Sequence, residues 1–457
     1  MYPIEAKILL QGIADIDSCA KISSVVTDNR LVTSGSIFVC IKGERVDGHS
    51  FAAAAIDSKA EFVLCEYLPT GADARKCIIV PNTLDALITM SGNYTAQFSP
   101  VVVGVTGSVG KTTTKEFCYS IFSAAGKTIK TKGNQNNEIG MPNTLFNIDK
   151  DTKYAVVEMG MQGLGEISKL TRAARPMGAI ITCIGRSHLL QLGSRENILK
   201  AKLEICEGLP DGAPLVMSAD DDYLPSADIP KRLKPVYFSA VGNAEVQANS
   251  IAVKNDTTSF TICDRIYGMH KVTIPALGMH NVANALAAYT LATRLGIKPN
   301  IAAKALESFV TVGQRQKITD FHGITVIEDC YNANPDSMRA ALNTLRDYNA
   351  MHRVAVLGDM LELGDTSREE HEQVGRLAAE CDVNYLITVG EEARYIYARA
   401  DGFGVTVVHC KDNKDAISLL KHYAREGDAI LIKASHGMHF EDIIKGFYEP
   451  TDEGALE

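Results

Sequence analysis

No stretch of the chain approaches the roughly 18 consecutive apolar residues that a membrane span needs. The first residues, MYPIEAKILLQGIADID, also lack the basic segment and long apolar core of a secretory signal. These absences predict a protein that stays in the cytoplasm and does not insert into a membrane. There is no C-x-x-C pair among the eleven cysteines scattered from Cys19 to Cys410, which argues against a zinc site or a disulfide framework and for a reduced compartment. Each cysteine reads as a small buried apolar residue. A basic stripe is missing too: the net charge of -9 is spread along the chain, so a nucleic acid is not the expected partner. A few local lysines and arginines still suffice for a small anion. Internal repeats and low-complexity segments are absent.

What is present is ample material for several cores. Of the 457 residues 46% are hydrophobic and 22% charged, the balance of an ordinary globular protein, and this length predicts two to four domains. Residues 1–98 alternate strand-like runs (SIFVCIKG, AEFVLCE, KCIIV) with helical ones (SFAAAAIDSKA, TLDALITMSGNYTAQF), a small α/β domain. Pro100 in QFSP marks its end. From 99 to 313 continuous apolar runs (VVVGVTG, YAVVEMG, GAIITCIG, APLVMSA) alternate with loops and helices, the pattern of a mostly parallel sheet buried on both faces. From 314 to 457 the runs ITVIED, RVAVLGD, VNYLITVG, GVTVVHC and DAILIKAS, separated by helices, predict a Rossmann-like doubly wound domain with a frayed TDEGALE tail.

The chemistry starts in GVTGSVGKTTTKEF, residues 104–117. The common phosphate-loop spelling G-x-x-x-x-G-K-S/T would need a glycine at 105, where Val105 stands. The context is nevertheless right. An apolar strand runs into a turn permitted by Gly107 and Gly110, and a helix follows whose amino end attracts phosphate. Lys111 would reach the terminal phosphates and Thr112 would offer a hydroxyl to Mg2+. Glu158, ending YAVVEMG, is placed to supply the carboxylate such an ion prefers. His188 lies in the loop GRSHLLQLGS, and a loop histidine is by default a packing residue. Lys200 and Lys202 follow in ENILKAKLEI, where the default reading is two snorkelling, solvated cations.

Taken in order, TGSVGKTT, GNQNNEIGMPNTL, VVEMG, SH…LGSRENILKAKLEI, GMHNVANALAA, EDCYNANPDSM, VLGDMLELG and LIKASHGM resemble the Mur ligases, ATP-dependent amide-bond ligases of peptidoglycan precursor synthesis. The match runs from about residue 25 to 440. It is most specific around 133–145 and 329–338, where the chain is similar to the branch that adds D-alanyl-D-alanine to UDP-N-acetylmuramoyl-tripeptide. That family spells its phosphate loop G-x-x-G-K-T, as here, and has three domains, for the UDP-sugar peptide, for ATP and for the incoming amino acid or dipeptide.

The resemblance implies the following roles. Gly107, Ser108, Gly110, Lys111, Thr112 and Thr113 cradle the phosphates, with Asn281 near the adenine and Arg315 and Asp329 as further ATP contacts. Thr112 and Glu158 hold one Mg2+. His188 and a carbamate formed from CO2 on Lys202 hold a second. Thr27, Asp28 and Arg30 in TDNR, with Asp47, Gly48 and His49 in GERVDGH, belong to the uridine-nucleotide segments. Asn134, Asn136, Asn137, Tyr331, Asn332, Asn334, Lys433 and His436 face the substrates. A monomer is expected. In two places the chain departs from its relatives: Leu190 stands where many have an acid two residues past the histidine, and His436 ends a segment (Lys433, Ala434, Ser435, His436) that often ends in arginine. Two other readings remain, a ligase adding a single amino acid earlier in the pathway, and a P-loop NTPase acting as a switch or binding module. GNQNNEIG and YNANPDSM stand against the first, the uridine-nucleotide segments against the second.

Overall fold

The structure is a computed structural model that describes residues 1–43, 45–254 and 256–449. Glu44 of GERVDGH and the TDEGALE tail lie outside the described residues. Near the amino terminus the strands Ser24–Val26, Ser36–Val39, Phe62–Cys65 and Cys77–Ile79 lie side by side in chain order, all parallel. Ser24–Val26 goes beyond the expected runs, being too short to show a period. Helix Thr83–Thr95 starts at Asn82, whose side chain accepts from the Asp85 amide at 2.8 Å. Its buried Tyr94 donates to the Ile148 carbonyl at 2.5 Å and accepts from the Tyr2 amide at 2.8 Å. One continuous core joins Leu64, Leu87 and Tyr94 to Met141, Leu170 and Ile205, so this helix ties the amino-terminal sheet to the larger one that follows.

That larger sheet has nine strands, ordered in space as 268–274, 257–264, 246–254, 234–239, 214–218, 178–181, 101–106, 154–158 and 128–130. The strands from Lys234–Ser239 to Thr128–Lys130 run parallel. Alternation along Val101–Thr106 explains its stability. Val103 and Val105 enter the core beneath helices Lys111–Ala125 and Met279–Arg294, while Val102 faces the opposite core. Each buried aliphatic side chain contributes roughly 1.5–3 kcal/mol, which anchors the strand and lets the loop after it stay polar. Chain order reverses beside this strand, since Tyr154–Glu158 flanks it on one side and Gly178–Ile181 on the other. A crevice opens at the carboxyl ends of such strands. The far edge was not anticipated: Val246–Lys254, Thr257–Asp264 and Gly268–Ile274 form an antiparallel ribbon.

The third sheet has six strands in the order 317–321, 324–328, 429–433, 353–358, 385–389 and 406–410, parallel except for the first. The five expected runs all form strands. Lys317–Phe321 is an addition, paired antiparallel with Ile324–Glu328 through a tight turn. Val354 and Val356 face one core and Ala355 and Leu357 the other, the two-sided burial of a doubly wound sheet. All eleven cysteines are free. Among the described residues no helix is long and apolar enough to cross a membrane.

Candidate active site

The turn after Val101–Thr106 takes the shape its glycines permit. Gly107 has φ +141° and Gly110 φ +84°, conformations that side-chain-bearing residues rarely adopt. A Cβ on Gly107 would lie 1.9 Å from Thr182 Oγ1, and one on Gly110 2.5 Å from Asn284 Oδ1. Thr182 closes the turn from the next strand, donating to the Val109 carbonyl at 2.5 Å. Gly107→Ala is therefore expected to destabilise the fold by about 1–3 kcal/mol and to abolish nucleotide binding, read by denaturant melts and ADP titration.

Lys111 begins the following helix and curls back, donating to the Gly107 and Ser108 carbonyls at 2.8 and 3.2 Å. Burial pulls its pKa below the usual lysine value, and the Glu158 carboxylate pulls it back up. Thr112 donates to both Glu158 oxygens at 2.9 and 3.1 Å, and Asn136 donates to Glu158 Oε1 at 2.8 Å. Beneath them lies Lys115, fully buried, 3.5 Å from Glu158 and 3.3 Å from Glu116. Sequence reasoning missed Lys115. Its signal was the four-residue spacing from Lys111, which puts both on one face of the helix.

Lys111, Thr112, Asn136 and Glu158 line a cavity of about 620 Å3 shared by the second and third sheets. It gathers Ser108, Gly110, Lys111, Thr112, Thr113, Asn134, Asn136, Asn137, Glu158, His188, Asn281, Arg315, Asp329, Tyr331, Asn332, Asn334 and Lys433. Leu84, at the start of the helix that ties in the amino-terminal sheet, also lines it. Across the cavity Lys433 pairs with Asp329 at 2.7 Å and donates to the Asn332 carbonyl at 2.9 Å, and Arg315 lies 3.7 Å over the Tyr331 ring. Asp329→Ala would strand the buried Lys433 ammonium, at an expected cost of about 3–5 kcal/mol. Adding Lys433→Met should recover most of that loss in urea titrations.

His188 caps the short helix Leu189–Leu192 with φ 64°. Burial and the cations of Lys111 and Lys202 push its imidazole down to about 4, so it stays in the neutral, ligand-competent form near pH 7. Glu362 Oε2 lies 3.2 Å from its Nδ1 without the alignment of a hydrogen bond. Lys202 contradicts the reading of two solvated cations. Lys200 is exposed, but Lys202 is 1% exposed on the face of Ile198 and Ala201, and its pKa falls well below the usual value through burial and the neighbouring Lys111. Ser108 Oγ, Lys115 Nζ and His188 Nδ1 are buried without a hydrogen-bond partner among the described residues. Buried polar atoms are seldom left so, and the two that line the cavity, on Ser108 and His188, suit a charged, oxygen-rich ligand.

The remaining sites lie apart. His436 lines a smaller neighbouring cavity of about 130 Å3 with Ser435, Arg186 and His188. The amino-terminal group belongs to neither. Asp28 caps a turn and pairs with Arg30 at 2.6 Å, close to Thr27. Asp47 caps the Gly48–Phe51 turn and meets His49 Nδ1 at 2.6 Å, and Tyr67 stacks on His49 at 4.4 Å. These residues follow the strands Ser24–Val26, Ser36–Val39 and Phe62–Cys65 at their carboxyl edge, where parallel sheets take ligands.

Family models match three segments: the Mur ligase family, catalytic domain at 21–86, the Mur ligase middle domain at 105–292 and the Mur ligase, glutamate ligase domain at 314–436. The UDP-N-acetylmuramoyl-tripeptide--D-alanyl-D-alanine ligase of Bacillus subtilis (strain 168) is 38% identical over 440 residues, covering 94% of this chain and 93% of the relative. Among solved structures, MurF from Acinetobacter baumannii superposes with a TM-score of 0.89 at 30% identity, over 98% of this chain and 100% of that one. MurF ligase from Thermotoga maritima in complex with ADP gives 0.84 at 27% identity, over 93% and 97%. A phosphate loop of the short spelling, a carboxylate held against it and matches over nearly the whole length lead to one conclusion: the chain belongs to the Mur ligase family, in its MurF group.

Proposed function

We propose that this chain is an ATP-dependent ligase that joins D-alanyl-D-alanine to UDP-N-acetylmuramoyl-tripeptide, forming a carbon–nitrogen bond and releasing ADP and phosphate. The observation that carries the reading is the polar cavity between the second and third sheets, with Lys111, Thr112 and Glu158 on one wall and Arg315, Asp329 and Tyr331 on the other. Residues 1–98 bind the UDP-sugar peptide through Thr27, Asp28, Arg30, Asp47, Gly48 and His49. Residues 99–313 bind ATP, and 314–457 present the dipeptide, with Asn332, Asn334, Lys433 and His436 on that side. The enzyme works as a cytoplasmic monomer.

In the first step a carboxylate oxygen of the tripeptide attacks the γ-phosphorus and the bond to ADP breaks, giving an acyl phosphate. The dipeptide amine then attacks the acyl carbon, the carbon–oxygen bond to phosphate breaks, and the amine gives up a proton. Two anions must meet in the first step, so positive charge in a dry site supplies much of the acceleration. Lys111 is held beside the loop to deliver such charge once a phosphate displaces its carbonyl contacts.

Thr112 and Glu158 fit a Mg2+ site, a hydroxyl beside one carboxylate on a phosphate loop. Among the described residues no group of three acidic, histidine or cysteine side chains is assembled for a metal, which suits an ion that takes its other ligands from phosphate and water. His188, neutral and buried, and Lys202 would hold a second Mg2+. The low pKa of Lys202 favours the uncharged amine, the form that adds CO2 to become a carbamate and so exchanges a cation for an anion. Bound Mg2+ would screen the repulsion between carboxylate and triphosphate.

Labelling tests the chemistry. With 18O in the tripeptide's terminal carboxylate, one label is expected in the released phosphate by mass spectrometry. Unlabelled phosphate would exclude the acyl phosphate.

A further inference from the structure

The carboxylate placed to hold Mg2+ has a protein cation beside it as well. Lys115 Nζ lies 3.5 Å from Glu158 Oε2 and 3.3 Å from Glu116 Oε1. It is fully buried, yet among the described residues it is aligned to hydrogen-bond neither acid. A buried ammonium ordinarily donates to its acid. One suspended between two acids can turn to either without travelling.

The two acids differ in their other partners. Glu158 accepts from Thr112 and Asn136 and faces the phosphate loop. Glu116, also buried, has a second cation in Lys130, which comes from the edge strand Thr128–Lys130 and lies 4.0 Å over the Tyr119 ring. Four charges therefore alternate from contact to contact: Glu158, Lys115, Glu116 and Lys130. The first lies inside the site, and the last is 26% exposed. A divalent cation at Glu158 would meet the Lys115 ammonium at close range in a dry setting, where like charges repel strongly. Glu116 offers that ammonium somewhere else to point.

We propose that Lys115 and Glu116 are positioning residues that set the metal affinity of Glu158. Lys115 competes with a divalent cation for the Glu158 carboxylate, and Glu116 takes the ammonium over when the cation binds with nucleotide. The inference rests on the Mg2+ reading of Thr112 and Glu158 above. It separates two neighbours on one helix: the lysine opposes the metal and the glutamate favours it. A merely structural network would lose metal affinity whichever member was removed.

Mn2+ titrations of the full chain in saturating ADP, followed by electron paramagnetic resonance, test this. Lys115→Met is expected to lower the Kd for Mn2+ about fivefold or more, because the competitor is gone. Glu116→Gln is expected to raise it by about the same factor, because Lys115 is then left with Glu158 alone. Glu116→Asp should restore part of the affinity. ADP binding in the presence of a chelator should stay within about twofold of the native value in all three, since none of them touches the phosphate loop. Weakened or unchanged Mn2+ binding in Lys115→Met overturns the proposal. So does unchanged or tightened binding in Glu116→Gln, a near-isosteric change that reads the proposal by itself should the methionine variant not fold. Glu158→Gln serves as the control: Mn2+ affinity that survives it would sink the metal reading of Glu158, a failure separately visible from shifts of the wrong sign.

Discussion

Lys111→Ala is expected to lower kcat/KM by on the order of 10³-fold while leaving the fold intact. The two halves of that expectation have separate grounds. Catalytically, Lys111 is the lysine of the phosphate loop, set by Gly107 and Gly110 at the amino end of a helix whose own field attracts anions. In the proposed reaction, removing it would take away a charge-assisted contact that strengthens as charge shifts onto the departing ADP. Structurally, among the described residues its ammonium donates only to the carbonyls of Gly107 and Ser108, so alanine leaves no buried acid without a partner. Glu158 keeps Thr112, Asn136 and the buried Lys115. A thermal melt within a few degrees of the native one, beside single-turnover phosphate release, checks both halves. An unfolded variant would mean that the lysine is structural.

Lys202→Ala is the second large effect, expected to cost at least about 10²-fold in kcat, with partial recovery on adding a short-chain carboxylate such as acetate. A buried ammonium is expensive, and burial beside Lys111 brings the Lys202 pKa well below the usual lysine value. The uncharged amine would be a nucleophile toward CO2, and the proposed carbamate would bring negative charge near His188 and Lys111. Alanine removes the anion without burying a new polar group, so the protein should be at least as stable as before. Rescue by the added carboxylate distinguishes loss of an anion from loss of packing. Full activity in the alanine variant would remove Lys202 from the chemistry.

Sequence reasoning went far where continuous apolar runs end in chemistry-bearing residues. The strands around the cavity were legible because they are buried on both faces; Glu158 ends one such run, and Lys111 and Thr112 follow the turn after another. The antiparallel ribbon at 246–274 was passed over because only one of its faces is buried. Thr257–Asp264 alternates buried and half-buried residues throughout, a period-two signal diluted by threonine and serine. Helix Arg195–Leu203 tightens into a 3-10 turn from Glu204 to Gly208. Lys202 and Lys200, two residues apart on that helix, point to opposite environments. Only packing against the sheet tells which is buried. Thr182, Asn284 and Glu362 were missed because each acts on a partner from another element, and long-range pairing leaves no mark in local sequence. The amino-terminal segments were found by resemblance, and the structure gathers them at one sheet edge apart from the main cavity.

The central claim is that ATP cleavage here serves the joining of a dipeptide. Phosphate release measured with ATP, UDP-N-acetylmuramoyl-tripeptide and D-alanyl-D-alanine tests it most directly, with each component omitted in turn and the dipeptide replaced by a single diamino acid. Release is predicted to require both the UDP-linked tripeptide and the dipeptide, one phosphate for each amide formed. Release that proceeds with the diamino acid but not the dipeptide, or that is indifferent to the UDP-linked peptide, would contradict it.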